Sequence, residues 1–255
     1  MPLKKNYHMH TELCGHAVGS IIDNVNMAES LGYEALGFSE HAPLPLEAFN
    51  EVDNKRLYAY ENMTLDIMEH EYIAPLKRLQ EQEKDKLKIK IGLETEFLYG
   101  YLDWYKNLYS KVEYLILGVH FFYKGDKLID TYAEINHDTM DYYAEAVEKA
   151  LATGMFKVLA HPDLYLYDDI ALDSKAKEVA DRIIDACAKY NVLVEINCNG
   201  KGRYPRPDFY EYIKNKPVKY IIGIDSHDPK RLAGDHVEFS INLAKRLGLE
   251  VVDEV

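Results

Sequence analysis

The sequence predicts an α/β fold built on a parallel sheet, and three observations carry that reading. Predicted strands alternate with helices. No internal repeat or Gly/Ser linker interrupts the alternation. Nearly every predicted strand ends in a histidine or a carboxylate, and strand C-termini are where α/β folds carry their sites. About seven strand–helix units can be counted, one short of the usual eight-fold barrel.

Asn6 to His10 is the first predicted strand. Side chains at i and i+2 share one side of a strand, so His8 and His10 aim two imidazoles at one point. His16 follows a glycine in the loop leaving that strand. Ile21 to Leu31 reads as a helix closed by Gly32. Ala35 to Ser39 is a short strand ending in Glu40-His41, and Ala42-Pro43-Leu44-Pro45 breaks the chain into a loop. Thr64 to Lys84 reads as a long charged helix that Pro75 should kink or interrupt. Leu87 to Ile91 alternates and leads into Gly92-Leu93-Glu94. Tyr114 to Val119 is a buried strand ending at His120, followed by a helix from about Asp138 to Thr153. Lys157 to Ala160 is a strand ending in His161-Pro162-Asp163, and Ser174 to Tyr190 is an amphipathic helix. Val192 to Ile196 ends in Asn197, and Lys219 to Ile224 ends in Asp225-Ser226-His227. The final helix covers about Val237 to Leu247, with Gly248 as its stop.

Bulk properties narrow the function. A chain of 255 residues with 47% hydrophobic content can bury a sizeable core and is read as one domain, residues 1–255. Thirty basic against 43 acidic residues give a formal charge of −13, which makes the chain a poor non-specific binder of nucleic acid. A phosphate substrate stays open, because a metal cluster reverses the sign of charge inside a cleft. Cys14, Cys187 and Cys198 form no CxxC pair and are odd in number, so a disulfide framework is not expected and a reducing cytoplasm fits best. No apolar signal region precedes the histidine strand, and no apolar run approaches the roughly eighteen residues of a spanning helix.

His8, His10, His41, Glu94, His120, His161, Asp225 and His227 form the end-of-strand set, with His16 just past the first strand. The remaining histidines, His70, His137 and His236, fall on predicted helices or flanking loops and are expected to face solvent. So many nitrogen and oxygen donors exceed one tetrahedral site and suggest a cluster of two or three divalent metals. Histidine with carboxylate suits zinc, iron or manganese. Adjacent metals of this kind clamp the attacking and departing oxygens in phosphoester hydrolysis.

His8-Met-His10, His16, Ser39-Glu40-His41, Gly92-Leu93-Glu94, Gly118-Val119-His120, Ala160-His161-Pro162 and Asp225-Ser226-His227 resemble, in order and spacing, the motifs of the PHP (polymerase and histidinol phosphatase) family. The likeness spans residue 8 to about 228. His10-Thr-Glu-Leu-Cys-Gly-His16-Ala and Phe38-Ser-Glu-His41-Ala-Pro43 most resemble the stand-alone histidinol phosphate phosphatases. Glu40, often Asp in the family, and Gly118, often Ser, depart from the pattern without touching an implied ligand.

The resemblance implies a distorted (β/α)7 barrel and three metal sites. One would use His8, His10, Glu94 and Asp225. A second would share Glu94 with His120 and His161, and a third would take His16, His41 and His227. It also implies hydrolysis of L-histidinol phosphate in histidine biosynthesis. Another small phosphate ester, such as phosphotyrosine, is the alternative, and a nuclease is the more distant one. His41, Asp225 and His227 are expected to serve catalysis as well as ligation. Arg203, in a Gly-Lys-Gly-Arg loop after Asn197, is the candidate to hold phosphate bidentately. Arg206, Asn197 and Glu12 are further candidates for substrate contact. Of the 21 tyrosines, Tyr99, Tyr101, Tyr123, Tyr165, Tyr167 and Tyr204 lie near the expected mouth, where some could stack on a ligand. The expected partner is a small phosphate ester, with no nucleic acid and no membrane; the oligomeric state is open.

Overall fold

The computed structural model describes residues 2–49, 62–199 and 205–255. Eight strands form one parallel sheet in the order β1 (Lys5–Asn6), β2 (Ala35–His41), β3 (Lys88–Thr95), β4 (Tyr114–Leu117), β7 (Phe156–Leu159), β8 (Leu193–Asn197), β9 (Tyr220–Gly223) and β10 (Val251–Val252). β5 (Phe121–Lys124) and β6 (Lys127–Asp130) make a separate antiparallel hairpin between β4 and β7.

The sheet curls until its first strand meets β9. Past β1 the chain stays extended, and Met9 forms an isolated parallel bridge with Ser226. His10 N–H donates to the Ser226 carbonyl and Ser226 N–H to that of His8, at 2.9 and 3.4 Å. Below this bridge the two strands separate, and the Asn6 side chain fills the gap by accepting from Ile224 N–H at 2.9 Å. β1, β2, β3, β4, β7, β8 and β9 therefore go round a barrel, and β10 pairs only with β9. This is the distorted (β/α)7 barrel expected from the sequence.

Helices Ile21–Ser30, Ala74–Glu83, Leu102–Tyr109, Met140–Leu151, Ser174–Tyr190, Pro207–Ile213 and Asp235–Leu247 supply the crossovers. Their ends follow local rules. Ser20 and Asp23 form a reciprocal capping box, Asp173 caps Ser174–Tyr190, and Asn191 closes that helix in the left-handed region. At Pro75 the expected interruption does not occur. The backbone stays helical through Leu65–Ile67, one π-helical turn Met68–Ile73 and Ala74–Glu83, so the chain is not interrupted and the π turn directly before Pro75 is where the hydrogen-bond ladder adjusts to its missing N–H. The hairpin and the helices Leu102–Tyr109 and Pro207–Ile213 add to the sequence reading. No helix among the described residues is long and apolar enough to cross a membrane.

A buried layer fills the barrel below the strand ends: Tyr7, Ala35, Tyr114, Ile116, Val158, Ala160 and Ile221. The Tyr114 hydroxyl, at 2.8 and 3.0 Å, bonds the carbonyls of Tyr7 and Phe38. The ring needs the absence of a side chain at Gly92, where a Cβ would come within 2.4 Å of Tyr114 Cζ. This layer is the floor on which the polar cluster stands.

Candidate metal centre

Glu94 is the centre of the cluster, one inward step above Gly92 on β3. Its carboxylate is buried and its two oxygens face different partners. Oε1 lies 3.0 Å from His161 Nε2 and 3.8 Å from His120 Nε2. Oε2 lies 3.4 Å from His8 Nε2, 3.3 Å from His10 Nε2 and 3.3 Å from His41 Nδ1. Asp225, just past β9, approaches from the other side: its Oδ1 is 3.6 Å from His8 Nε2, 3.3 Å from His10 Nε2 and 3.4 Å from His227 Nδ1.

His8, His10, His41, Glu94, His120, His161 and Asp225 are buried, whereas His16 is exposed and His227 half-buried at the mouth. All nine sequence-predicted metal donors therefore converge at the C-terminal end of the barrel. Of the expected groupings, Glu94–His120–His161 is present in full and His8–His10–Glu94 without Asp225, which lies against His8 and His10 from the other side. The expected third grouping, His16–His41–His227, is divided between two others. His227 groups with His10 and His41 on one side and with Cys14 and His16 on the other. Its Nε2 is 3.0 Å from His16 Nε2.

This donor set fits divalent cations. His8 Nε2 and His10 Nε2 are buried with no hydrogen-bond partner, a costly arrangement unless a ligand takes the lone pairs. The separations of 3.4 and 3.3 Å from Glu94 Oε2 to His8 Nε2 and His10 Nε2 match the edge, about 3.4 Å, of a tetrahedron with bonds of about 2.1 Å. Charge complementarity agrees. Burial opposes a proton on His8, yet Glu195, Glu94 and Asp225 together hold it well above the usual imidazole range. Burial likewise opposes ionisation of Glu94, but His8 and His120 hold its carboxyl well below the usual range. At the mouth, burial and the neighbouring His10 charge bring His227 down to about 4.

Three carboxylates aim these imidazoles: Glu195 and Glu96 were not singled out in the sequence, and Glu40, expected to touch no ligand, contacts His10. Glu195 Oε1 lies 2.6 Å from His8 Nδ1. Glu96 Oε1 lies 2.7 Å from His120 Nδ1. Glu40 Oε1 lies 3.2 Å from His10 Nδ1, while its Oε2 accepts from Thr11 N–H and hydroxyl at 2.7 and 2.6 Å. A carboxylate on Nδ1 fixes the tautomer and points Nε2 at the cluster. The sequence carried a signal for each. Glu195 is a charge inside the apolar strand Val192–Ile196, Glu96 stands two residues from Glu94 on the same strand side, and Glu40 adjoins His41.

Among the substrate-contact candidates, Arg203 and Tyr204 lie outside the described residues. Arg206 is held by Asp208 through two bonds of 3.1 and 2.6 Å and by the Ile170 carbonyl at 2.6 Å. Asn197 is buried, its Nδ2 donating to Glu195 Oε2 and Asp225 Oδ2 at 3.0 and 3.2 Å. Glu12 is exposed in a short turn beside the mouth. Tyr165 packs in the core with its hydroxyl on the Ala176 carbonyl. Tyr132 stacks on His120 at 5.9 Å, and Tyr167 meets Tyr132 edge-on at 5.0 Å, so these two form an aromatic wall at the site. His70 and His137 are exposed as expected, whereas His236 is half-buried against the Arg231 carbonyl.

The comparisons agree with this geometry. A Deinococcus radiodurans protein named "Probable histidinol-phosphatase" is 27% identical over 249 residues, covering 87% of this chain and 85% of that protein. The Bacillus subtilis histidinol-phosphatase is 28% identical over 101 residues, covering 39% of this chain and 36% of that one. The fold matches the crystal structure of a histidinol phosphate phosphatase from Lactococcus lactis complexed with zinc, L-histidinol and phosphate. There the TM-score is 0.74 at 21% identity, covering 99% of this chain and 96% of that chain. The family model of the PHP domain matches residues 6–199, and β9, which lies beyond that match in the same sheet, is followed directly by the segment bearing Asp225 and His227. With the barrel, the ordered histidine motifs and the family match together, this chain belongs to the PHP domain family.

Proposed function

We propose that this chain is a metal-dependent phosphomonoesterase that hydrolyses L-histidinol phosphate to L-histidinol and phosphate, acting as one domain over residues 1–255. The observation that carries the reading is the Glu94 carboxylate, whose two oxygens each face a separate histidine group. The names of the relatives and the zinc, histidinol and phosphate of the Lactococcus lactis structure support the substrate and metal type.

His8, His10, Glu94 and Asp225 would hold one cation, Glu94, His120 and His161 a second, and His16, His41 and His227 a third, with zinc favoured over iron or manganese. When bound, such cations activate water and offset charge on phosphoryl oxygens. The chain's own residues do the rest. Carboxylates on the far side of His8, His10 and His120 hold each ring in one orientation. The Tyr114 layer keeps the chamber floor apolar, so charges above it are weakly screened. Arg203 would bind phosphate oxygens left free by metal. Tyr132 and Tyr167 would present an aromatic wall to the imidazole of the substrate. Three free, buried cysteines suit a reducing compartment such as the cytoplasm.

The test is phosphate release from L-histidinol phosphate, phosphotyrosine and a panel of small phosphate esters, with metal analysis on the same sample. The reading requires L-histidinol phosphate to give the highest kcat/KM, with at least two equivalents of metal. A better ester in the panel moves the assignment to another phosphatase. Efficient exonuclease action on single-stranded DNA at physiological salt moves it to a nuclease, against the −13 charge of the chain.

A further inference from the structure

We propose that Glu195, with Asn197 and Gly223, forms the positioning hub of the metal centre: a buried carboxylate that touches no substrate but sets the metal affinity of His8, His161 and Asp225 together. The inference rests on the cations of the proposed function, not on the choice of substrate.

Each oxygen of Glu195 has a separate task. Oε1 takes His8 Nδ1 at 2.6 Å. Oε2 accepts the His161 backbone N–H at 2.8 Å and Asn197 Nδ2 at 3.0 Å. Asn197 then passes its second N–H to Asp225 Oδ2 at 3.2 Å, and its own Oδ1 accepts from Asn199 N–H at 2.7 Å. One carboxylate thus reaches three candidate ligands on three strand ends.

Two of those three sit in backbone conformations that side chains rarely adopt, His161 at φ 29° and Asp225 at φ 51°. Such strain persists only where surrounding contacts over-determine it. Here the contacts are the Glu195–His161 and Asn197–Asp225 bonds. Space for the hub is reserved as well. Glu195 fits against Gly223 on β9 so closely that a Cβ there would lie 1.8 Å from Oε1. A charged side chain buried at 1% exposure in an apolar strand, with both oxygens used and a neighbouring glycine making room, is organised around ligand geometry.

The chemistry of the Oε1 contact makes the idea testable. An ionised carboxylate only accepts, so His8 must carry its proton on Nδ1 and leave the Nε2 lone pair for metal. In Glu195→Gln the amide oxygen is best placed at the Oε2 position, where two N–H donors converge. The amide NH₂ then faces His8 and can only donate. His8 must move its proton to Nε2, where it blocks ligation. The variant keeps the shape of the side chain and loses the ligand.

The experiment is zinc binding without substrate, by competition with a chromophoric chelator, on the metal-stripped wild type and Glu195→Gln. We expect zinc affinity to fall about 10- to 100-fold, the range for outer partners of metal-bound histidine. Gly223→Ala, which displaces Glu195, should weaken binding in the same direction. Histidine ¹⁵N NMR reads the tautomer directly and needs no variant: in zinc-loaded wild type, His8 must be protonated on Nδ1. Wild-type zinc affinity in Glu195→Gln, or a proton on His8 Nε2 in the loaded wild type, overturns the proposal. A wild type that binds zinc but hydrolyses no phosphate ester fails the proposed function alone. A wild type that takes up no zinc ends both.

Discussion

Glu94 Oε1 lies 3.0 Å from His161 Nε2, on the side of the carboxylate turned away from His8 and His10. A group placed between two sets of imidazoles serves both only while it carries charge on both oxygens. Glu94→Gln should therefore lower metal content and turnover together. Metal analysis and phosphate release on one sample check this, and full occupancy with full activity would refute the bridging role.

Metal loading should release protons and tighten as pH rises. The carboxylates around His8 and His10 raise both imidazoles well above their usual range, so the metal-free rings hold protons at neutral pH. Their contribution to the stability of the metal-free fold is complete below the usual imidazole pKa and is lost as pH rises through the elevated values. A cation needs the bare Nε2, so it competes with those protons. Calorimetry in buffers of different ionisation enthalpy should show net proton release, with weaker apparent binding at lower pH. Affinity independent of pH between 6 and 8 would contradict this.

Arg203 and Arg206 should separate in their effects. The Arg206 guanidinium is occupied by Asp208 and by the Ile170 carbonyl, so Arg206→Ala should mainly lower the melting temperature, by roughly 1–2 kcal/mol of stability. Arg203→Ala should spare stability and metal content and cost about 2–4 kcal/mol in the transition state, about thirty- to a thousand-fold in kcat/KM. Arg203→Lys should recover only part, because lysine keeps the charge and loses the fork. Wild-type kcat/KM in Arg203→Ala would move the phosphate contact to Lys201 or Arg206.

Gly92→Ala should destabilise the fold by about 1–3 kcal/mol, the usual cost of overpacking. The added methyl would meet Tyr114 Cζ at 2.4 Å, and that ring is fixed by bonds to the Tyr7 and Phe38 carbonyls. Chemical denaturation of the metal-free protein isolates this effect, and an unchanged midpoint would show that the floor yields easily.

The barrel and its donors were legible because their signals are local. Alternation gave β3 and short apolar runs gave β2 and β8, and the i, i+2 rule placed His8 and His10 on one side, where both Nε2 atoms approach Glu94 Oε2. The partners of those histidines were not legible. Glu195 and His8 are 187 residues apart, and their contact follows from barrel closure at Met9 and Ser226, which no local pattern encodes. The same holds at the mouth. Cys14 joining His16 and His227 depends on how the first loop turns back beside the segment after β9. The hairpin β5–β6 could have been read from its Lys-Gly-Asp-Lys turn, with Gly125 in the left-handed region.

Tyr114 and its apolar neighbours seal the chamber beneath Glu94, so traffic passes through the rim that bears His16 and His227. An ester entering and an inorganic phosphate leaving share that doorway. Escape of the anion from a cationic chamber then competes with bond cleavage for control of the steady state. Inhibition by added phosphate should be competitive against the ester, and mutations of rim residues that hold no cation should alter throughput without altering the chemical step.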